Sequence, residues 1–144
     1  MAVGIQVVID CADPADLALF WAAALRYKQQ EPPAGFSTWE AFLTAQGVPP
    51  EEWNSANAVV DPDGAGPRIY FQRVPEPKIV KNRVHIDLNV GGGHETPLEE
   101  RRARVEAEVQ RLVGLGATQL RPVEQRGEYW VVMQDPEGNE FCLQ

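Results

Sequence analysis

The sequence has little cysteine, little positive charge and no long apolar run. Of 144 residues only Cys11 and Cys142 are cysteines, which is too few for the disulfide framework of a small secreted domain. Both thiols are therefore expected to be reduced, as in a cytoplasm. No apolar run approaches the ~20 residues of a membrane span, so no membrane partner is expected. The start, Met1 to Gln6, has neither a basic opening nor a long apolar core, and no signal peptide is expected. Positive charge is also scarce: 13 Lys and Arg against 21 Asp and Glu leave a formal net charge of −8. A phosphate backbone rewards lysine and arginine, so no nucleic-acid partner is expected.

What remains is the composition of an ordinary globular domain, 44% apolar and 24% charged. A chain of this length is read as one domain, 1–144, that can bury roughly 68–70% of its unfolded surface. Its most informative stretch runs from Arg83 to Val90. Val84, Ile86, Leu88 and Val90 alternate with Arg83, His85, Asp87 and Asn89. A period of two predicts a strand, aliphatic on one face. The other face carries an imidazole, a carboxylate and an amide in a row. Ile5 to Asp10 echoes this pattern near the start.

Taken in order, a strand is expected over Val3 to Cys11. Asp13-Pro14-Ala15-Asp16 then opens a helix, with Asp13 as cap and Pro14 at the first helical position. Leu17, Phe20, Trp21, Ala24 and Leu25 form its apolar stripe, and Trp21 reads as core. A short edge strand is expected over Tyr27 to Glu31. Ser37-Thr38-Trp39-Glu40 has the capping-box pattern, which predicts a helix over Ser37 to Gln46. Residues 36–57 read as an excursion from the sheet or a lid, anchored by Trp39 and Trp53. Ala58 to Val60 and Arg68 to Val74 are strands flanking the turn Asp61-Pro62-Asp63-Gly64. Pro75 to Lys78 is a linker. After the strand at Arg83, Thr96-Pro97-Leu98-Glu99 is a second capping box. It opens a helix to about Leu115, with Leu98, Val105, Val109, Leu112 and Val113 inside and Glu108 among the charges outside. Thr118 to Val123, Tyr129 to Gln134 and Glu140 to Leu143 complete the strands. His94, after three glycines, reads as a solvated loop residue.

Each half of the chain, about 1–76 and 82–144, thus reads as strand, helix and three strands. Gln6 aligns with His85, Asp61-Pro62-Asp63-Gly64 with Asp135-Pro136-Glu137-Gly138, and Phe71-Gln72 with Phe141-Cys142. The predicted class is α+β, with two tandem βαβββ modules whose curved sheets enclose one cavity.

Two such modules resemble the vicinal oxygen chelate superfamily, the fold of glyoxalase I, extradiol dioxygenases, fosfomycin-resistance enzymes and bleomycin-binding proteins. More narrowly, four stretches resemble the bacterial glyoxalase-like domain proteins: Val8 to Pro14 with Phe20-Trp21, Tyr70 to Lys78, Lys81 to Leu88, and Asp135 to Cys142. The resemblance implies a divalent metal held by the first and last strand of each module. By position the ligands would be Gln6, Gln72, His85 and Cys142. This ligand set is degraded. The last strand normally offers a glutamate where Cys142 stands, and Glu140 lies one pleat away. Gln6 and Gln72 offer only weak amide oxygens, and a hard ion wants carboxylates. Without a metal, His85 could serve as a general base with Asp87 or Asn89 as polar partner, and Cys142 would be a small buried apolar residue.

Two functions are weighed. One is a metal-assisted lyase, isomerase or dioxygenase acting on a small substrate. The other is a sequestering protein of bleomycin-resistance type, with a cavity lined by Trp39, Trp53, Tyr70, Tyr129 and Trp130 around Gln6, Gln72, His85, Asp87 and Cys142. True glyoxalase I activity is disfavoured, because the last-strand glutamate is absent. The resemblance also implies a homodimer.

Overall fold

The computed structural model describes residues 1–144. The chain divides into two compact units, Met1–Pro77 and Lys78–Gln144, each built on one four-stranded sheet.

The first module holds β1 (Val7–Cys11), α1 (Pro14–Leu25), β2 (Lys28–Gln29), β3 (Ala56–Val60) and β4 (Ile69–Arg73), in the sheet order β1-β4-β3-β2. Strands β1 and β4 run parallel; the other pairs are antiparallel. Helix α1 begins where Asp13 Oδ1 accepts the Asp16 N–H at 3.2 Å, with Pro14 in the first turn. It ends at Arg26, in the left-handed region. It packs on β3 and β4, and Leu17, Trp21, Val59 and Phe71 are fully buried. At roughly 1.5–3 kcal/mol for each large apolar side chain, this layer supplies most of what holds the module together.

The second module repeats the plan with β5 (Asp87–Leu88), α3 (Leu98–Gly114), β6 (Thr118–Gln125), β7 (Glu128–Gln134) and β8 (Glu140–Leu143), in the order β5-β8-β7-β6. Strands β5 and β8 are parallel, as β1 and β4 are. Val105, Val109, Leu112, Val131, Met133, Phe141 and Leu143 form its core. The turns before the last strands match in detail. Asp61 accepts the N–H groups of Asp63, Ala65 and Gly66. Asp135 accepts those of Glu137 and Asn139. Gly64 and Gly138 both take positive φ, 71° and 86°, which glycine adopts without a Cβ clash.

Several local expectations are corrected. The first strand starts at Val7, not Val3. Val3 and Ile5 are 90% and 79% exposed, because β4 ends its pairing with β1 at Val7↔Ile69. The strand expected over Arg83 to Val90 is ladder-paired only at Asp87–Leu88, at the edge of its sheet. The helix of the excursion is α2 (Trp39–Ala45), capped by Thr38, whose Oγ1 accepts from Ala41 at 3.1 Å, rather than by Ser37. A 3-10 helix, Pro50–Ser55, follows it. The second capping box does not form: α3 has no side-chain cap bond. Val113 is 43% exposed. Glu108, expected outside, is buried and pairs with Arg111.

Candidate functional site

Strand alternation decides what each sheet displays. In the second module Leu88 pairs with Leu143, and Phe141 with Met133, on the face that α3 covers. Asp87 pairs with Cys142, and Cys142 with Val132, so these three point to the open face. The Cys142 N–H donates to Ile86 O at 3.0 Å, and Gln144 N–H to Leu88 O at 3.0 Å, which locks the parallel register. His85 precedes Asp87 by two residues, and its Nε2 lies 3.4 Å from Asp87 Oδ1. One ligand atom from each of His85, Asp87 and Cys142 lies within 4.8 Å of the others. His85 and Asp87 are about two-fifths exposed, while Cys142 is buried.

Burial pushes the Cys142 thiol above its usual range, and the neighbouring Asp87 carboxylate adds to this by charge and hydrogen bond. The positive charges of Lys81 and Arg121 oppose it. Glu140 is not free to replace Cys142. Its carboxylate accepts the Asn82 N–H at 2.9 Å and pairs with Lys78 at 3.1 Å. Burial alone would raise its pKa, but these partners together hold it below the usual glutamate range.

The other candidates lie as follows. Gln6 and Gln72 belong to the first module. The Gln6 Oε1 accepts from Arg68 Nη1 at 2.7 Å, so the oxygen a metal would use already faces a cation. The same guanidinium lies 5.1 Å over the Tyr70 ring. Gln72 is exposed. The cross-strand register also shifts the internal repeat. Asp10 pairs with Gln72 as Asp87 pairs with Cys142. One step back along the same face then lies Val8, not Gln6, as the counterpart of His85. Trp53 donates its indole N–H to Val48 O at 3.0 Å, and Trp39 to Gln30 O at 2.7 Å, so both tie the excursion to itself and to the end of β2. Tyr129 and Trp130 cannot line one cavity, because adjacent strand residues face opposite ways. Trp130 lies on the open face with Val123. Tyr129 is on the α3 side, its hydroxyl 3.2 Å from Glu106. There it helps to line a groove of about 440 Å³ with Val109, Gln110, Gln119, Pro122 and Val131.

Asp87, read from the sequence as a cavity residue and polar partner of His85, falls with His85 and Cys142 in one group of potential ligand atoms. The His-x-Asp spacing on one strand face was the available signal. That Cys142 stands directly across from Asp87 depends on a register that spacing does not contain.

This arrangement sits in a chain whose residues 6–144 match the model of the glyoxalase-like domain. The protein belongs to the glyoxalase-like domain family. Solved structures with the same fold include a hypothetical protein from S. aureus, 17% identical, with 99% of this chain and 96% of that chain covered and a TM-score of 0.60. Another is a glyoxalase/bleomycin resistance protein/dioxygenase family enzyme from Burkholderia phytofirmans, 16% identical, covering 96% and 94%, TM-score 0.59. A third is a variant of the fosfomycin resistance protein from Listeria monocytogenes, complexed with Mn(II) and a dihydroxypropylphosphonic acid, 12% identical, covering 100% and 90%, TM-score 0.62. At these identities the likeness is one of fold. Comparison with curated proteins finds no match.

Proposed function

We propose that this glyoxalase-like protein binds a small molecule on the open face of its second module, beside a divalent ion held by His85, Asp87 and Cys142. The observation that carries this reading is the grouping of an imidazole, a carboxylate and a thiol within 4.8 Å on one sheet face. Such a mixed set suits a borderline ion of the zinc type better than magnesium or calcium. Three protein donors with a position left for a ligand is the pattern of catalytic rather than closed structural sites. When bound, the ion would act as a Lewis acid on an oxygen of the ligand. His85 Nε2 and Asp87 Oδ1 lie 3.4 Å apart, close enough for both to reach one ion. Cys142, across from Asp87 on the neighbouring strand, is the buried member of the group. Val132 and Trp130, further along the same face, supply apolar surface for the ligand. The reaction class this supports is a metal-assisted lyase, isomerase or dioxygenase. Glyoxalase I chemistry is not part of the reading, because Glu140 is engaged by Lys78 and Asn82.

The raised pKa of Cys142 favours a second reading, in which the thiol stays protonated and the face sequesters its ligand without an ion. Elemental mass spectrometry of untagged protein, prepared without chelator, separates the two. Near-stoichiometric zinc-type metal that disappears in His85→Ala is the expected result. A metal-free protein whose melting temperature does not respond to added zinc would leave sequestration.

A further inference from the structure

The second module contains Lys78, Lys81, Arg83, Arg101, Arg102, Arg104, Arg111, Arg121 and Arg126. Five of these have a carboxylate partner: Lys78 with Glu140, Arg101 with Glu128, Arg102 with Glu124, Arg104 with Glu100, and Arg111 with Glu108. Lys81 donates only to the Asn82 carbonyl, and no carboxylate pairs with Arg83, Arg121 or Arg126. Arg126 belongs to the tight turn between β6 and β7, at φ 55°. The other three lie in the row of the site or shortly before it in the chain. Lys81 and Arg83 lie in the lead-in to β5, just before His85. Arg121 is in register with Val132, which is in register with Cys142, which is in register with Asp87. This row crosses all four strands on one face. It sets Arg121 two strand spacings from Cys142, roughly 10 Å along the sheet, within the sweep of a long flexible side chain.

From this row we infer that the small molecule taken by this face carries an oxyanion group, of the carboxylate or phosphate type, received by Lys81 and Arg121 while the rest of the molecule faces His85 and Asp87. The inference rests on the placement of the site proposed above but not on its ion. In a chain of net charge −8, unpaired cations beside one cluster are a local reversal of sign. They raise the local concentration of anions and leave guanidinium donors open for a bidentate oxyanion. The first module offers no such pair. Its Arg68 is held by Gln6 and Gln30, its Arg73 by Glu52 and its Lys28 by Glu31.

The test is a titration of the full, chelator-treated chain with inorganic phosphate, methylphosphonate and acetate at fixed ionic strength, followed by amide and arginine side-chain NMR shifts. It is then repeated with zinc added. Saturable shifts around Lys81, Arg121 and Cys142 are expected, weakened about tenfold in Arg121→Ala and several-fold in Lys81→Ala. Arg126→Ala should leave them unchanged. The tighter of phosphonate and acetate names the anion class. Equal binding by the wild type and both site variants, shifts located elsewhere, or no saturation with any anion would overturn the inference. Anion binding that persists in His85→Ala, in a protein that takes up no zinc, supports the inference while the ion reading fails. Zinc uptake without anion saturation does the reverse.

Discussion

In the first module Asp10 stands across from Gln72; in the second, Asp87 stands across from Cys142. One step back along each first strand stand Val8 and His85. The same skeleton therefore presents Val8, Asp10 and Gln72 on one sheet and His85, Asp87 and Cys142 on the other. The helix-facing sides hardly differ: Phe71 and Phe141 are both fully buried beneath their helices. The charge balance differs too. The first module has four cationic residues against ten acidic ones, the second nine against eleven. The β2–β3 connection carries α2 and the 3-10 helix, whereas β6 and β7 are joined by the two-residue turn Arg126-Gly127. Packing conserves the buried face because every atom there has neighbours to lose. The open face, where His85 and Asp87 are about two-fifths exposed, is less constrained, so chemistry can differ there at a smaller cost in folding.

The largest effects should come from the shared face. Phe71→Ala and Phe141→Ala are each expected to cost about 3–5 kcal/mol in chemical denaturation. A much smaller cost at one of them would break the equivalence of the two cores.

Next comes an exchange of open faces. Replacing His85 by Val and Cys142 by Gln, as in the first module, should weaken zinc binding by more than about 100-fold in calorimetry, with the fold retained by circular dichroism. The reciprocal pair, Val8→His with Gln72→Cys beside Asp10, should create a second zinc equivalent. If it does not, something beyond the trio distinguishes the modules.

A smaller effect concerns the helix starts. Asp13 accepts from Asn54 Nδ2 at 2.8 Å as well as from the Asp16 N–H, and both hold its carboxyl below the usual aspartate range, Asn54 the more strongly. Asp13→Ala should cost about 1 kcal/mol. Thr96→Ala, at the uncapped start of α3, should stay within about 0.5 kcal/mol. A depressed folded pKa gives stability that is present above the unfolded value, about 3.9, and is lost as pH falls through the folded one. In Asn54→Ala the shift shrinks, so the variant should be less stable than the parent above about pH 4, and the two melting curves should converge as pH falls below it.

The smallest is an alkaline limb. The raised Cys142 pKa contributes stability that is complete below about pH 8.5, the unfolded thiol value, and is lost as pH rises toward the folded value. Chelator-treated Cys142→Ala should flatten that limb in thermal melts above pH 8.5. An unchanged limb would show that the thiol is not desolvated as its burial implies.

The turns, the helix stripes and the order of strands were legible because each is written in a local pattern. Asp61-Pro62-Asp63-Gly64 and Asp135-Pro136-Glu137-Gly138 carry their own hydrogen-bond acceptor and their own glycine. Glu108 was misread because its charge was weighed above its spacing: it falls on the stripe of Val105, Val109 and Leu112, where Arg111 pairs with it. The match of Gln6 to His85 failed for a related reason: the sequence aligns residues along one strand, whereas a site is assembled across strands.

By itself, then, the sequence determined that two strand–helix–strand units would form, and that His85 and Asp87 would share a strand face, since alternation has a period of two whatever the surroundings. Only the tertiary structure decided that Cys142 stands opposite Asp87, that Val8 takes the place of His85 in the first module, and that Arg121 ends the same row. Those are questions of register between strands tens of residues apart. Register is set by the packing of whole faces, which no single stretch of sequence contains.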